Sequence, residues 1–190
     1  MTDRDRKLIE AARQVFARYG VAKTTMADIA REAGVARQTL YNAYAGKDEV
    51  LRAAVRLSMA ETDAAVQDAW ATCDGLEAHL DAFFRLVPLG WYDFARTSPE
   101  AAELLEGVHR VAAEELAEAA RDWATRFTAL LERNLPEGHP VRPQVAVLGD
   151  FIYASSINAK YGVDSRKALE DRLEMLKASV LALVGQDRAA

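Results

Sequence analysis

Residues 24–47, TTMADIAREAGVARQTLYNAYAGK, decide the fold of this chain, because they predict two short helices around a four-residue turn. Thr25 marks the start of the first helix, since a threonine hydroxyl accepts a hydrogen bond from a free backbone N–H in the first turn. Gly34 marks its end, because glycine adopts the left-handed conformation needed there without a Cβ clash. A second helix is predicted from about Arg37 to Tyr44.

This arrangement is typical of a helix-turn-helix, in which the second helix enters the major groove of DNA. Leu40 is predicted to anchor that helix to the core, which leaves the polar side chains of the helix facing outward. Polar and cationic side chains of this kind bond to phosphates and to base edges. From the spacing alone, a helical hairpin with a merely polar face stays open as the alternative.

The outward side chains divide by position into two predicted roles. The first three positions of the second helix are candidates for base edges, because an arginine there can take a guanine and a glutamine an adenine through paired hydrogen bonds. The two tyrosines, the lysine that follows and the backbone of Thr25 are candidates for phosphates, and Asn42 suits either role. Packing between helices is the alternative for the tyrosines, and simple solvation is the alternative for the lysine. The predicted DNA-binding residues are therefore Thr25, Arg37, Gln38, Thr39, Tyr41, Asn42, Tyr44 and Lys47.

Residues 8–52 resemble the N-terminal domain of the tetracycline-repressor (TetR) family of bacterial transcription regulators. Two departures from the family pattern lie in the second helix. Ala36 stands where a capping serine is usual, which costs about 1 kcal/mol of helix stability. Asn42-Ala43-Tyr44 stands where an aromatic residue or a histidine often follows the Tyr41 position. The matching segments are Ile9 to Phe16 with Gly20, Thr24-Thr25, Ile29-Ala30, Ala33-Gly34-Val35, Thr39-Leu40-Tyr41, Tyr44, and Lys47 with Leu51.

The resemblance implies a homodimer that binds a palindromic operator in double-stranded DNA and responds to a small-molecule effector. Two recognition helices would then match successive major grooves, about 34–36 Å apart. A hydrophobic or aromatic effector would favour a conformer with the wrong spacing and so release the DNA. The function expected is that of a ligand-responsive transcription regulator, and repression is the expected sign.

Length and composition limit the classes of protein to which this chain can belong. A chain of 190 residues suits one large domain or two small ones, and its 51% hydrophobic content is ample for a core. No apolar run is long enough to span a membrane, and the N-terminus is charged instead of resembling a secretion signal. Cys73 is the one cysteine, which rules out an intramolecular disulfide and fits a reducing compartment. We expect a cytoplasmic protein.

The net charge of −5 is unevenly distributed along the chain. Residues 1–52 carry a net charge of +3 and residues 53–190 a net charge of −8. This asymmetry indicates a nucleic-acid-binding end and an acidic body. Because steering near phosphates depends on local charge, the acidic total does not exclude DNA binding.

Helical periodicity runs through the chain, and no strand alternation, internal repeat or low-complexity tract interrupts it. The first helix is predicted to end at Gly20, and Pro88 is predicted to kink or shorten a later helix. We expect an all-α fold with a three-helix helix-turn-helix DNA-binding domain over residues 1–46. A helical ligand-binding and dimerisation domain is expected over residues 47–190, entered by a connecting helix over about 47–71.

The last two predicted helices, over about 144–161 and 165–184, carry a regular apolar seam. A seam of this kind forms either the core of one chain or a four-helix interface between two copies. The family resemblance favours the interface, because operator recognition needs two heads. The predicted interface residues are Leu148, Ile152, Leu169, Leu173, Leu176 and Val180.

The body between these regions is rich in aromatic residues, which predicts a mostly apolar effector pocket with a few polar groups. Aromatic stripes at helical spacing are also the usual content of a packed core, so that alternative stays open. The predicted pocket residues are Phe83, Val87, Trp91, His109, Trp123, Phe127, Phe151 and Tyr153.

Two other classes of protein are weighed against a ligand-responsive regulator. Glu106 and His109 have the Glu-x-x-His spacing of di-iron bundles, but such sites need a second pair and two further glutamates, which the sequence lacks. No Gly-rich phosphate loop, zinc spacing or nucleophile elbow appears, so we expect no enzyme, no metal and no cofactor. A ligand-independent architectural DNA-binding protein is the other alternative, and the long acidic aromatic body argues against it.

Overall fold

The computed structural model describes residues 2–185, which form helices joined by short turns and contain no strand. A π-helix over Arg85–Leu89 joins α5 to α6, and a 3-10 helix over Arg142–Gln144 precedes α9. No helix in this range combines the length and the apolar composition that crossing a bilayer requires. The all-α class is confirmed. The α-helices are α1 (Asp3–Lys23), α2 (Met26–Glu32), α3 (Arg37–Ala43), α4 (Lys47–Trp70), α5 (Gly75–Phe84), α6 (Gly90–Ala95), α7 (Pro99–Val111), α8 (Ala113–Asn134), α9 (Val145–Asn158) and α10 (Arg166–Val184).

The chain divides into two compact units, each built from two separate stretches of sequence. The first unit contains Met1–Glu61 and Phe94–Leu116, and the second contains Thr62–Asp93 and Ala117–Ala190. The first unit therefore holds the predicted helix-turn-helix together with α7, a helix from the middle of the chain. The predicted domain boundary after residue 46 stays a prediction.

An apolar core joins α1, α2, α3, the start of α4 and α7 in the first unit. Phe16, Ile29 and Leu40 are each at most 1% exposed and come from three successive helices. From α7, Leu104 and Val108 pack against this core. Because burying each large apolar side chain contributes about 1.5–3 kcal/mol, this core fixes α2 and α3 in place.

Helix α1 is interrupted at Gly20, whose φ of 74° and ψ of 164° are not helical. The predicted end at Gly20 is therefore confirmed as a break, although helical hydrogen bonding resumes as far as Lys23. A side chain at Gly20 would meet the Glu103 carboxylate of α7, with 2.8 Å between its Cβ and Oε2. The same carboxylate accepts a hydrogen bond from the backbone N–H of Ala22 at 3.3 Å. Glu103 thus supplies a cap for the short segment after the break.

The second unit has its own apolar core, formed by the end of α4 with α5, α8, α9 and α10. Pro88 lies within this unit and shapes the end of α5. Proline has no backbone N–H to donate, so the regular α-helical ladder cannot pass through it. The α-helix ends at Phe84, so the predicted shortening before Pro88 is confirmed, and the chain continues as the π-helix before α6 begins.

Helices α8 and α9 approach each other closely at Gly149. A Cβ built at Gly149 would lie 2.7 Å from the carbonyl oxygen of Ala124 and 2.9 Å from the backbone nitrogen of Thr128. Both atoms belong to the backbone of α8, so no change of side-chain rotamer can relieve the overlap. Gly149 is therefore required by space, whereas its helical backbone would suit any residue.

Gly149→Ala is expected to lower the free energy of unfolding of the second unit by about 1–3 kcal/mol, because the added methyl overpacks the α8–α9 contact. The measurement is urea unfolding followed by fluorescence of Trp70 and Trp123, which both lie in this unit. Gly90→Ala is the matched control, since a Cβ there has only one neighbour, the Arg85 carbonyl oxygen at 3.7 Å. We expect this control to leave the free energy of unfolding unchanged or to raise it by up to about 1 kcal/mol. Equal effects of the two substitutions would contradict the close approach.

Candidate nucleic-acid interface

The start of α2 is capped as the sequence predicts. The Thr25 hydroxyl accepts from the backbone N–H of Asp28 at 3.2 Å, and the Asp28 carboxylate accepts from the backbone N–H of Thr25 at 3.0 Å. This reciprocal capping box satisfies two backbone donors that the helix itself leaves free. Arg31 forms an ion pair with the same carboxylate. The first helix of the helix-turn-helix is thus fixed at its N-terminus by local contacts alone.

The turn between α2 and α3 is closed by Gly34, which has a φ of 66°. The backbone N–H of Val35 donates to the carbonyl of Ala30 at 3.0 Å, and that of Gly34 donates to the carbonyl of Arg31 at 3.2 Å. These two bonds make a Schellman motif, in which a left-handed residue ends the helix. The role predicted for Gly34 is confirmed, and the need for glycine here is conformational, since no atom lies within 4 Å of a built Cβ.

Helix α3 is held from one side and open on the other. Leu40 is fully buried and anchors the helix to the core of the first unit. Ala36 occupies the N-cap position and makes no side-chain hydrogen bond, as its methyl group predicts. The predicted DNA-binding residues Arg37, Gln38, Tyr41 and Asn42 are exposed, whereas Thr39 and Tyr44 are half-buried. Their contacts with DNA stay predictions.

Gln38 and Asn42 are joined on the exposed side of α3 by a hydrogen bond from Gln38 Nε2 to Asn42 Oδ1 of 2.8 Å. The two residues are four apart, the spacing at which helix side chains are neighbours. The sequence assigned each residue a separate role and did not predict this pair. The i, i+4 spacing of two amides was the signal that could have shown it.

Thr25 has fewer free hydrogen-bond donors for a phosphate than the sequence predicts. Its backbone N–H already donates to the Asp28 carboxylate, and its hydroxyl donates to the same group at 2.6 Å. That carboxylate also brings a negative charge to the start of α2. Both effects oppose phosphate binding at Thr25, because the capping box uses the donors that an anion would need.

Tyr44 closes the C-terminal end of α3 and is half-buried beside α4. Burial raises the pKa of its phenol above the ordinary value, the negative charge of Asp5 raises it further, and Arg56 acts in the opposite direction. The hydroxyl therefore stays protonated at neutral pH and can donate a hydrogen bond. A neutral donor suits a phosphate oxygen, so the predicted role stays chemically sound.

Lys47, the first residue of α4, is engaged within the first unit. Its ammonium donates to the carbonyl of Val21 at 2.6 Å and to that of Ala22 at 3.4 Å. It thus satisfies carbonyl groups at the end of α1, where a cation also suits the helix dipole. The sequence predicted a phosphate contact and missed this structural role, because spacing does not reveal which acceptors a lysine will find.

Lys47→Ala is expected to destabilise the first unit by about 1.5–3 kcal/mol, the range for hydrogen bonds from charged donors. Amide hydrogen exchange of α1 measures this loss, and Lys23→Ala is the control, since the Lys23 side chain is exposed. Protection of α1 equal in both variants would contradict the structural role. The phosphate contact is tested separately, because losing one should reduce the salt dependence of DNA binding by about 0.9 per site.

The aromatic residues predicted to line an effector pocket mostly pack on one another in the second unit. We define the aromatic cluster as Trp70, Phe83, Trp123 and Phe127. The ring centroid of Phe83 lies 4.7 Å from that of Trp123 and 4.9 Å from that of Phe127, in edge-to-face arrangements. This geometry is the one that aromatic pairs prefer in a packed core. Val87 is buried in the same core, and Trp91 and Tyr153 are half-buried against it.

Two of the predicted pocket residues are exposed. Phe151 is 50% exposed on the outer side of α9. His109 is exposed on α7, which belongs to the first unit. The sequence could not separate these residues from the others, because helical periodicity does not show to which unit a helix belongs. The lining made of these eight residues stays a prediction.

A surface cleft of about 340 Å³ lies beside α5, the π-helix and α10 in the second unit. Its walls are largely charged, and most of these charges are neutralised locally. Asp81 and Glu174 of these walls, for example, bind Lys177 at 2.7 Å and 2.9 Å. Phe84, Leu89 and Leu173 supply the apolar part of the lining.

The residues predicted for a dimer interface require a correction. Ile152, Leu169 and Val180 are fully buried within the second unit, and Leu148 and Leu173 are at most 8% exposed. Side chains enclosed by their own chain cannot meet a second copy. Leu176 is half-buried. The large apolar side chains exposed on α9 and α10, which we call the outer face, are Val147, Phe151, Met175 and Leu183.

The carboxylates and histidines of the described range do not gather into a metal site. No group of three or more His, Cys, Asp or Glu residues in residues 2–185 is arranged to hold an ion. Glu106 and His109 are both exposed on α7.

Comparison with known proteins agrees with the geometry of the first unit. The model of the bacterial regulatory proteins of the tetR family matches residues 8–54, the segment that contains α2, α3 and the start of α4. No curated protein matches the chain.

Solved structures share the fold over nearly the whole chain. A TetR-family transcriptional regulator from Pectobacterium atrosepticum is 22% identical, with a TM-score of 0.70, over 97% of this chain and 95% of that one. The fatty acid degradation regulator FadR from Bacillus halodurans is 16% identical, with a TM-score of 0.62, over 100% and 99%. SmeT, solved as a complex with triclosan, is 19% identical, with a TM-score of 0.64, over 94% and 91%. At these identities the likeness establishes the fold.

Proposed function

We propose that this chain, a member of the TetR family of bacterial regulatory proteins, represses transcription by occupying a palindromic DNA operator as a dimer. The observation that carries the proposal is α3, in which Leu40 is fully buried while Arg37, Gln38 and Asn42 stay exposed. A helix anchored in this way can place its polar side in the major groove. The chain is thus a DNA-binding transcription regulator, and we infer that it acts without catalysis.

The surface proposed for dimerisation is the outer face of α9 and α10. Val147 and Phe151, four residues apart on α9, are 70% and 50% exposed, and Met175 of α10 is 68% exposed. A two-fold axis through this face would bring the same residues of a second copy onto it. The dimer would then carry two α3 helices, one for each half of the operator.

We place the effector of this regulator beside the aromatic cluster and expect it to be a small hydrophobic or aromatic molecule. Tyr153 supports this placement, since its ring centroid lies 6.3 Å from that of Phe83 and its hydroxyl makes no hydrogen bond within residues 2–185. Burial raises the pKa of this phenol, so it stays a neutral donor at physiological pH. SmeT was solved with triclosan, a precedent in the same fold for a small aromatic ligand.

The effector would act by population shift between two conformers of the dimer. It can lower operator affinity only by the ratio of its own affinities for the DNA-binding conformer and the other one. A ligand that bound both conformers with equal affinity would not release the protein from the operator. The response is therefore measured as an operator affinity with and without ligand at fixed salt, because phosphate contacts make affinity strongly dependent on salt.

The experiment that tests the function is selection from random duplex DNA with the purified protein at moderate salt. We expect enrichment of an inverted repeat whose half-sites lie one or more helical turns apart. A folded, dimeric protein that bound DNA tightly without enriching any sequence would overturn the proposal in favour of an architectural role. A folded protein that bound no DNA above background would overturn it altogether.

A further inference from the structure

The hydrogen bond between Gln38 and Asn42 changes what the recognition helix can offer to DNA. Both residues are exposed on α3, and Gln38 Nε2 donates to Asn42 Oδ1 at 2.8 Å. Amide pairs four residues apart on a helix stabilise each other in water, so this contact can exist before DNA is met. The two side chains therefore approach DNA as one unit.

The donors and acceptors left over follow from the chemistry of the two amides. A primary amide has two N–H donors and one carbonyl oxygen with two lone pairs. Gln38 donates one N–H to its partner and keeps one N–H and its oxygen, the combination that pairs with adenine N7 and N6. Asn42 keeps both N–H groups and one lone pair of its oxygen, and the bond from Gln38 fixes the orientation of its amide.

We propose that Gln38 and Asn42 read adjacent base pairs as a coupled unit, in which Gln38 selects adenine and fixes the orientation in which the Asn42 amide meets the neighbouring base pair. Held in this orientation, Asn42 offers its N–H groups to the major-groove acceptors, which are guanine O6 and N7 or thymine O4. An asparagine without this partner is free to turn its amide and to use its oxygen and nitrogen together on adenine. The inference rests on the proposed function and names the sequence element that this helix reads.

Removing Gln38 is then expected to alter recognition at two positions of the operator. Gln38→Ala loses the adenine preference at its own base pair and frees the Asn42 amide to turn, which should change the preference at the neighbouring base pair towards adenine. Asn42→Ala should lose its own preference and leave the adenine preference of Gln38. Arg37→Ala is the control, because no hydrogen bond joins Arg37 to either amide in the described part of the chain.

The test runs the duplex selection in parallel with the wild-type protein and the three variants. A change at two adjacent positions with Gln38→Ala, against one position with Arg37→Ala, supports the coupled unit. A Gln38→Ala variant that changes one position only, with the preference at the neighbouring base pair intact, would overturn it.

A measurement without DNA separates failure of this inference from failure of the proposed function. The side-chain NH₂ resonances of Gln38 are recorded by NMR in the free protein and in Asn42→Ala. A shift of these resonances in the variant supports the pair even if wild-type selection enriches nothing, which would refute only the proposed function. Unchanged Gln38 resonances would overturn the coupled unit whatever the selection shows.

Discussion

Phe151→Glu is expected to convert the protein from a dimer into monomers and to abolish tight operator binding. Phe151 lies half-exposed on the outer face of α9, and a two-fold interface would contain two copies of the new carboxylate. A loss of about 2 kcal/mol at each copy, the scale of an interface hot spot, weakens dimerisation roughly a thousandfold. A monomer presents one α3 helix and so keeps only half of the contacts with a palindrome.

Sedimentation equilibrium and an operator-binding assay measure the two consequences of Phe151→Glu separately. Thr72→Glu is the control, because it adds the same charge to an exposed site that lies outside α9 and α10, in the turn after α4. Met175→Glu repeats the test from α10, where the side chain is 68% exposed. If both outer-face variants stayed dimeric with the dissociation constant of the wild type, the interface would have to lie elsewhere.

Phe83→Ala is expected to cost about 3–5 kcal/mol of the free energy of unfolding, the largest single effect that we foresee on stability. The Phe83 side chain is fully buried, and its ring meets those of Trp123 and Phe127 at less than 5 Å. Removing it leaves a cavity in a core whose rigid rings cannot readily close on the space. A loss of this size is a large fraction of the total free energy of unfolding of a typical domain.

Urea unfolding followed by tryptophan fluorescence reports Phe83→Ala directly, because Trp70 and Trp123 belong to the same cluster. Tyr161→Ala is the matched control, since this aromatic side chain is 56% exposed and its ring centroid lies 5.4 Å from the ammonium of Lys160. We expect the control to cost less than about 1 kcal/mol. A Phe83→Ala variant as stable as the control would mean that the cluster opens into a pocket instead of packing as a core.

The helix-turn-helix was predictable from sequence because its determinants are local. Thr25 finds its partner three residues away, and Gly34 is required by its own backbone angle. Neither needs information about the rest of the chain. The uncapped start of α3 at Ala36 was predictable for the same reason.

The exposed apolar side of α9 was not predictable in the same way, because α9 carries apolar side chains on two sides. Leu148 and Ile152 point inward, whereas Val147 and Phe151 lie one position earlier and are exposed. Both stripes repeat at helical spacing, so periodicity cannot tell which one its own chain covers. Lys47 illustrates the same limit, since the carbonyl groups that it binds belong to Val21 and Ala22, about 25 residues earlier in the sequence.

The composition of the first unit has a consequence for exchanging parts between regulators. Sequence comparison recognises the segment 8–54. The core that supports this segment also contains Leu104 and Val108 of α7, and Ala112, which directly follows that helix. Gly107 of α7 also seats Val21, with 3.1 Å between a built Cβ and Val21 Cγ2. A chimera that transplants only the recognised segment would leave that core to the host's helix. To work in a new host, the helix-turn-helix segment should therefore be transferred together with residues 94–116, or its core should be redesigned to pack against the helix that replaces them.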